Sequence, residues 1–287
     1  MNGDLAAAVA TVLGSPVTAM AVVRGGDVAA AYRVSLADGR QVFAKTHPSA
    51  PAGFFTTEAT GLTWLRAAGA VPVPDVLAVA DEPVPMLVLE WIDVGGGRRA
   101  DASEAVFGRA LAALHDAGAP SFGREDQRTT GSRALPNEPQ PTWAEFYAVD
   151  RLLPLARLAR DGRALSPAAI AALERLAGSL ERFDDGAPPA RLHGDLWAGN
   201  RLIARDGTSW LIDPAAHGGH REFDLAMMRL FGGFGPSCFA AYAEVHPLGA
   251  GWADRVELHQ IAPLVVHAIK FGGGYVAAAE RAIAHSA

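Results

Sequence analysis

Lysine is almost missing from this chain of 287 residues: of its 25 basic residues only Lys45 and Lys270 are lysine, and 23 are arginine. A GC-rich coding bias is the simplest cause. The survivors are therefore places to ask whether a compact ammonium is required where a planar guanidinium does not serve. For Lys270 an incidental surface position is the preferred reading. Cysteine is reduced to Cys238. That excludes an intrachain disulfide and makes the cytoplasm the expected compartment. Met1-Asn2-Gly3-Asp4 lacks the basic stretch of a secretory leader. No apolar run reaches the ~20 residues of a membrane span, so no membrane partner is expected. Positive charge is not in excess either, with a net charge of −6 and a pI near 5.8. A nucleic-acid partner would want a basic face, and none is expected.

What is present is apolar: half of the residues are hydrophobic, enough for two lobes or one large domain. The first part reads as short strands, Val17-Ala21, Val28-Val34 and Gln41-Lys45, punctuated by Gly25-Gly26 and Asp38-Gly39. Apolar spacing predicts one helix from Phe54 to Ala68. Val71-Pro72-Val73-Pro74 is extended, because a residue preceding proline avoids the α region. Met86-Leu89 reads as a buried strand, and Gly95-Gly96-Gly97 as a hinge. Beyond it the chain reads helical: Ser103-Gly118, Trp143-Arg160, Ser166-Phe183, Glu222-Phe231, Pro236-Val245, Ala253-Lys270 and a final helix from Tyr275. Ser103 and Ser166 stand where N-caps belong. The polar segment Arg124 to Pro141 is expected to be a long loop, on the substrate side or simply at the surface.

The most informative residues are His193-Gly194-Asp195-Leu196-Trp197-Ala198-Gly199-Asn200, followed by a short strand ending in Leu211-Ile212-Asp213. Phosphoryl transfer needs one carboxylate beside the attacking hydroxyl and oxygen ligands for magnesium beside the nucleotide phosphates. Asp195 can supply the first, as the base or orienter of the hydroxyl. Asn200 and Asp213 can supply the second. Each Gly-Asp or Gly-Asn pair taken alone is only a turn former; the combination favours one shared site. His193 is read as structural, its ring tying down the loop. Trp197 is either core or an apolar wall against a sugar-like substrate.

Lys45 closes an apolar strand and can aim its ammonium at the α- and β-phosphates, with Glu58 on the next helix to hold it. Gly25 and Gly26 can bring backbone amides to the phosphates, although a Gly-Gly pair is first of all a turn. The backbone at Glu90, Trp91 and Ile92 can face an adenine edge. In His217-Gly218-Gly219-His220-Arg221-Glu222-Phe223-Asp224, Asp224 heads a helix, where a carboxylate complements the exposed amides and can brace the Asp195 loop. His217 and His220 are read as substrate or loop support. Their three-residue spacing without a further ligand makes a metal reading poor.

These segments together resemble the fructosamine kinase (ketosamine 3-kinase) family, which is similar to aminoglycoside phosphotransferases and, more remotely, to protein kinases. The resemblance rests on His193-Gly-Asp-Leu-Trp-Ala-Gly-Asn200, on Ile212-Asp-Pro-Ala-Ala-His-Gly-Gly-His-Arg-Glu-Phe-Asp-Leu-Ala226 and on Leu230-Phe-Gly-Gly-Phe234. Phe43-Ala-Lys45, Leu114-His115 and Phe271-Gly-Gly-Gly-Tyr275 add weaker support. It implies an α+β, bilobal kinase-like fold, with a small antiparallel sheet lobe over residues 1–93 and a larger, mainly helical lobe over 94–287. It implies ATP and Mg2+, and phosphorylation of the C3 hydroxyl of a ketosamine, free or on a glycated protein lysine. On the matching positions Asp195 would be the base, Asn200 and Asp213 the magnesium ligands, and Lys45 with Glu58 the phosphate anchor. Animal members have a cysteine in the nucleotide-covering loop; residues 25–29 have none, so no redox switch is carried over. Rival readings are a phosphotransferase for an aminoglycoside, choline or a free sugar, and a nucleotide-binding pseudokinase serving as an interaction module. The oligomeric state is not legible.

Overall fold

The apolar runs and turn residues of the first ninety positions form one antiparallel sheet. The protein is described by a computed structural model covering residues 2–23, 29–95, 101–125, 129–130 and 134–287. Helix α1 (Asn2–Leu13) precedes β1 (Val17–Val23), β2 (Ala30–Leu36) and β3 (Gln41–Thr46); α2 (Phe54–Arg66), β4 (Val76–Ala80) and β5 (Met86–Glu90) follow. The strand order is β1-β2-β3-β5-β4. In β3, residues alternate between two faces, as the strand period requires. Val42 and Ala44 join Leu5 and Val9 of α1, Val34, Met86 and Val88 in one buried cluster. Lys45 falls on the opposite face, toward α2, whose Phe55, Ala59, Leu62 and Leu65 are buried. The run Met86-Leu89 is buried at every position because both faces of β5 are covered.

The chain divides into two compact units: Met1–Arg98 together with Leu202–Asp213, and Arg99–Arg201 together with Pro214–Ala287. This differs from a contiguous split at Asp93. Backbone pairing explains why: Gly95 N–H donates to Ile203 O at 3.0 Å, and Leu211 N–H to Pro72 O at 2.9 Å, so the 202–213 hairpin belongs with the first unit. Gly96 and Gly97 of the expected hinge, like Gly25 and Gly26, lie outside the described residues.

The second unit runs through α3 (Asp101–Asp116), β6 (Thr129–Thr130), β7 (Leu135–Pro136), α4 (Trp143–Phe146), α5 (Leu153–Asp161), α6 (Pro167–Ala177) and β8 (Ala190–Leu192). The pair β9 (Arg201–Ile203) and β10 (Ser209–Leu211) intervenes, then β11 (His217–Gly219), α7 (Glu222–Phe231), α8 (Pro236–Val245), α9 (Trp252–Phe271) and α10 (Gly274–Ser286). Leu152, Leu155, Leu173, Leu192, Ile261, Val265 and Ile283 are at the centre of its core. Helices α3 and α8 approach closely at Gly108, where a Cβ would stand 2.1 Å from Cys238 O. Among the described residues no helix is long and apolar enough to cross a membrane.

Several expectations need correction. Helix α1 and strand β4 are additional elements: α1 is alanine-rich, with Leu5 and Val9 fully buried among its described residues, and β4 follows a Pro-rich stretch. The expected helix 143–160 is interrupted by a π turn over Tyr147–Leu152. Pro154 cannot donate to the carbonyl of Asp150, and Arg151 Nη1 bonds that carbonyl instead, at 2.9 Å. Helix α3 begins at Asp101, so Ser103 is inside it rather than its N-cap, while Ser166 does cap α6 by accepting from Ala169 N–H. The described residues of the expected loop 124–141 are mostly irregular but anchored to the rest of the unit. Thr129 and Thr130 pair with Pro136 and Leu135, Asn137 is fully buried, and Arg151 Nη2 donates to Asn137 Oδ1 at 3.0 Å.

Candidate active site

In the first unit the sheet supplies a charge triad. Strand alternation turns Lys45 toward α2, where Nζ donates to Glu58 Oε1 at 2.9 Å. It also donates to Asp213 Oδ1, at the end of the 202–213 hairpin. One ammonium thus serves two carboxylates. Burial alone would lower the pKa of Lys45, but Glu58 and Asp213 outweigh it and hold it above its ordinary value. Burial, reinforced by Asp213, pushes Glu58 upward against the pull of Lys45. Asp213 itself has φ +54°, a left-handed conformation that few non-glycine residues adopt and that Asp tolerates better than most. Glu90 ends β5 with its backbone N–H on Asp75 O at 2.9 Å. Trp91 and Ile92 follow directly; the Arg33 guanidinium lies 5.1 Å from the Trp91 ring and Ile92 is buried.

In the second unit the Asp195 loop leaves β8, whose partner is β11. A buried carboxylate organises it. Asp224 Oδ2 accepts His193 N–H at 2.8 Å and Oδ1 accepts Gly194 N–H at 2.9 Å. Asp224 sits in the first turn of α7 and is fully buried. Its other neighbour is His115 Nε2 at 3.3 Å, and His115 Nδ1 pairs with Tyr242 Oη at 2.8 Å. Burial would raise the pKa of Asp224; His115, His193 and the Gly194 amide overcome this and hold it below the usual carboxylate range. Gly194 has φ +79°, and a Cβ there would stand 2.1 Å from Ala215 O, so this position requires glycine.

The loop is tied internally as well. His193 Nδ1 accepts Asp195 N–H at 3.3 Å, and His193 O accepts Ala215 N–H at 3.0 Å. Asn200 Nδ2 donates to Asp195 O at 2.9 Å and to Asp195 Oδ2 at 3.1 Å, which fixes the direction of the Asp195 carboxylate. The next residue is anchored by Arg201 Nη1 on Glu104 Oε1 at 2.6 Å, with the guanidinium 4.2 Å from the Phe107 ring centre. Trp197 is 41% exposed and meets Phe231 edge-on at 6.4 Å. His217 is buried with Nδ1 2.8 Å from Ala215 O; burial, then Arg151, pushes its pKa down to about 3, so the ring stays neutral. His220 turns to other partners: Asp185 Oδ1 at 3.2 Å from Nε2, and the Glu222 amide.

Sequence reasoning assigned nothing to three groups. His115 and Tyr242 extend the support behind Asp224, from helices 109 and 18 positions away. An aromatic group continues from Trp197 through Phe231, His267, Phe271 and Tyr275, with centroid separations of 4.9 Å for Phe231–His267 and 5.0 Å for His267–Tyr275. His259 stands beside His220 and Glu222. His267, Phe271 and Tyr275 do recur at a four-residue spacing, but the contacts of His115 and Tyr242 with Asp224, of Trp197 with Phe231 and of His259 with Glu222 join segments distant in sequence.

A sheet unit carrying a lysine–carboxylate triad and a helical unit carrying a braced Gly-Asp loop define the class. The fold is that of the kinase-like phosphotransferases: the aminoglycoside phosphotransferase APH(4)-Ia aligns at a TM-score of 0.62 over 98% of this chain and 99% of its own, with 16% identity. Within that class, the chain belongs to the fructosamine kinase family, which matches residues 1–286. A probable ketoamine kinase of Enterococcus faecium is 35% identical over 258 residues, 88% of this chain and 90% of that protein. The chloroplastic protein-ribulosamine 3-kinase of Arabidopsis thaliana is 33% identical, over 90% of this chain and 79% of its own length. A Thermobifida fusca crystal structure, provisionally named a fructosamine-3-kinase, aligns at a TM-score of 0.89 with 42% identity across 98% of both chains.

Proposed function

We propose that this chain is an ATP-dependent ketosamine 3-kinase, which transfers the γ-phosphate of ATP to the C3 hydroxyl of a ketoamine adduct on a small amine or a glycated protein lysine. The observation that carries this reading is the Asp195 carboxylate, aimed by Asn200 on a loop whose amides are locked to buried Asp224, in a member of the fructosamine kinase family. Asp195 takes the C3 hydroxyl proton as that oxygen bonds to the γ-phosphorus; the bond to the β,γ-bridging oxygen breaks and ADP leaves. Aspartate is a weak base, but the transition state is loose, so alignment counts for more than basicity.

Lys45 is assigned to the α- and β-phosphates, with Glu58 holding its ammonium. Gly25 and Gly26 contribute backbone amides, and the backbone from Glu90 to Ile92 faces the adenine. Trp197 is the apolar wall for the sugar carbons. Magnesium suits the donors present: the amide oxygen of Asn200 and the carboxylate of Asp213 are hard oxygens, and the ammonium of Lys45 already rests on that carboxylate. When bound, the ion would neutralise phosphate charge. The 3-phosphate adduct then decomposes and releases the amine, a deglycation role set in the cytoplasm.

The test offers labelled ATP with fructosyl-lysine, ribulosyl-lysine, an aminoglycoside, choline and a free sugar. Label is expected on the C3 hydroxyl of the two ketosamines. Transfer to the aminoglycoside and to neither ketosamine overturns the assignment. Nucleotide binding with no transfer to any acceptor favours the interaction-module reading.

A further inference from the structure

The two histidines of His217-Gly-Gly-His220 do not share a ligand set, but one of them finds partners that the sequence separates widely. His220 leads into α7, Glu222 is the first residue of that helix, and His259 comes from α9, which packs against it. All three side chains are buried, and one ligand atom from each lies within 4.8 Å of the other two. Glu222 Oε2 is 4.0 Å from His220 Nδ1 and 3.6 Å from His259 Nε2. The imidazoles of His220 and His259 are stacked at 5.1 Å and 20°. Trp143 covers both, 5.6 Å from His220 and 5.1 Å from His259.

His259 is the unexplained member. It is 1% exposed, and among the described residues no hydrogen-bond partner reaches either of its ring nitrogens. A buried imidazole with two unsatisfied nitrogens is costly to keep. Its backbone is also unusual. Pro263 lies four residues on, so the His259 carbonyl receives no helical N–H. Nearby, the Tyr147 hydroxyl reaches into the helix and donates to Leu258 O at 2.8 Å. The otherwise unbroken helix thus lacks one ladder bond where it presents His259.

We propose that His220 Nδ1, Glu222 Oε2 and His259 Nε2 bind one divalent transition-metal ion of the zinc class. Two imidazoles and a carboxylate are a donor set that zinc accepts and magnesium does not prefer. Tetrahedral bonds near 2.1 Å put ligand atoms about 3.4 Å apart; the separations from Glu222, 3.6 and 4.0 Å, need closure by about 0.2 and 0.6 Å, and the two imidazole donors, within 4.8 Å of each other, by at most about 1.4 Å. The surroundings match what a ligating histidine requires. His220 Nδ1 accepts the Glu222 amide N–H at 3.3 Å, a long bond that the ion would replace, and the opposite nitrogen, Nε2, points at Asp185 Oδ1. A carboxylate behind the ligand is the usual device for fixing tautomer and orientation. Arg255 fixes Glu222 in turn, donating to both of its oxygens at 2.8 and 2.6 Å. Asp185 and Arg255, the residues behind His220 and Glu222, also line a cavity of about 280 Å³ with Phe183, Gly251 and Asp254. The ion would tie α9 to the start of α7, two residues before Asp224. The inference does not depend on the acceptor assigned above.

The test uses the full chain, stripped with chelator and free of nucleotide, titrated with Zn2+ against a chromogenic competitor. About one tight equivalent is expected, with a rise in melting temperature. His259→Gln should weaken that equivalent at least tenfold, and Co2+ substituted into the wild type should give the visible bands of a tetrahedral nitrogen–oxygen site. Absence of a tight equivalent in the wild type, or unchanged affinity in folded His259→Gln, sinks the proposal. If that variant does not fold, anomalous scattering at the zinc edge from wild-type crystals decides: a peak among the three side chains supports the site, and a peak only elsewhere overturns it.

Discussion

Two groups of charged residues were expected to act together, and they are built on opposite plans. In the first unit, Lys45 is shared between Glu58 and Asp213, and the whole group is side-chain charge. In the second, Asp195 and Asn200 ride on a loop whose backbone amides are bound to Asp224, and Asp224 is bound to His115 and Tyr242 behind it. The first arrangement is held only by ion pairs between side chains. The second cannot come apart without exposing buried amides. One group is held by side-chain ion pairs and the other by bonds to its own backbone, and each side of that difference can be tested.

The largest effect is expected at the chemical step. Asp195→Asn should lower turnover about 10²- to 10⁴-fold, with thermal unfolding unchanged because Asp195 is not part of the Asp224 scaffold. Near-wild-type turnover would remove Asp195 from the role of base. Next comes the scaffold itself. Asp224→Ala strands two backbone amides and His115 in a buried site, and urea unfolding should show a loss of about 3–5 kcal/mol. A loss below 1 kcal/mol would mean that the loop is held by something else.

Lys45→Met should raise the KM for ATP roughly 10- to 100-fold, the worth of a charged hydrogen bond, and should also lower the melting temperature, because it leaves Glu58 and Asp213 without their shared cation. Unchanged ATP dependence would take Lys45 out of the site. Gly194→Ala forces a side chain into a left-handed turn 2.1 Å from Ala215 O and should cost about 1–3 kcal/mol, read as a lowered melting temperature together with reduced turnover.

The smallest effect is in acid. The folded pKa of Asp224 lies below its ordinary value of 3.8. The stability it contributes is therefore complete above that value and is lost as the pH falls through the folded pKa. Wild type should lose stability more steeply below about pH 4 than Asp224→Asn does. Parallel acid-unfolding curves for the two would show that Asp224 is not ionised in the folded protein.

Much of this was legible beforehand because it is written in short-range patterns. Two-residue alternation marked β3 and aimed Lys45; apolar spacing of about 3.6 residues marked α7 and α8 to the residue; and the helix position of Asp224 suggested its partners before they were seen. Other features had no local signature. Pro154 and Pro263 both lie in stretches with helical apolar spacing, yet the first accompanies a π turn and the second sits inside an unbroken helix, four residues after His259. The 202–213 hairpin reads as part of the helical lobe from its place in the chain and joins the first unit only through pairing with residues 72 and 95.

The sequence by itself determined which chemistry the chain carries, because an Asp, an Asn and a Gly at fixed separations constrain the backbone over a few residues and tolerate few alternatives. Tertiary structure decided who supports that chemistry. His115 and Tyr242 behind Asp224, and His259 beside Glu222, became partners only when helices distant in sequence packed together. Burial then made each unsatisfied nitrogen or carboxylate expensive enough to demand a partner.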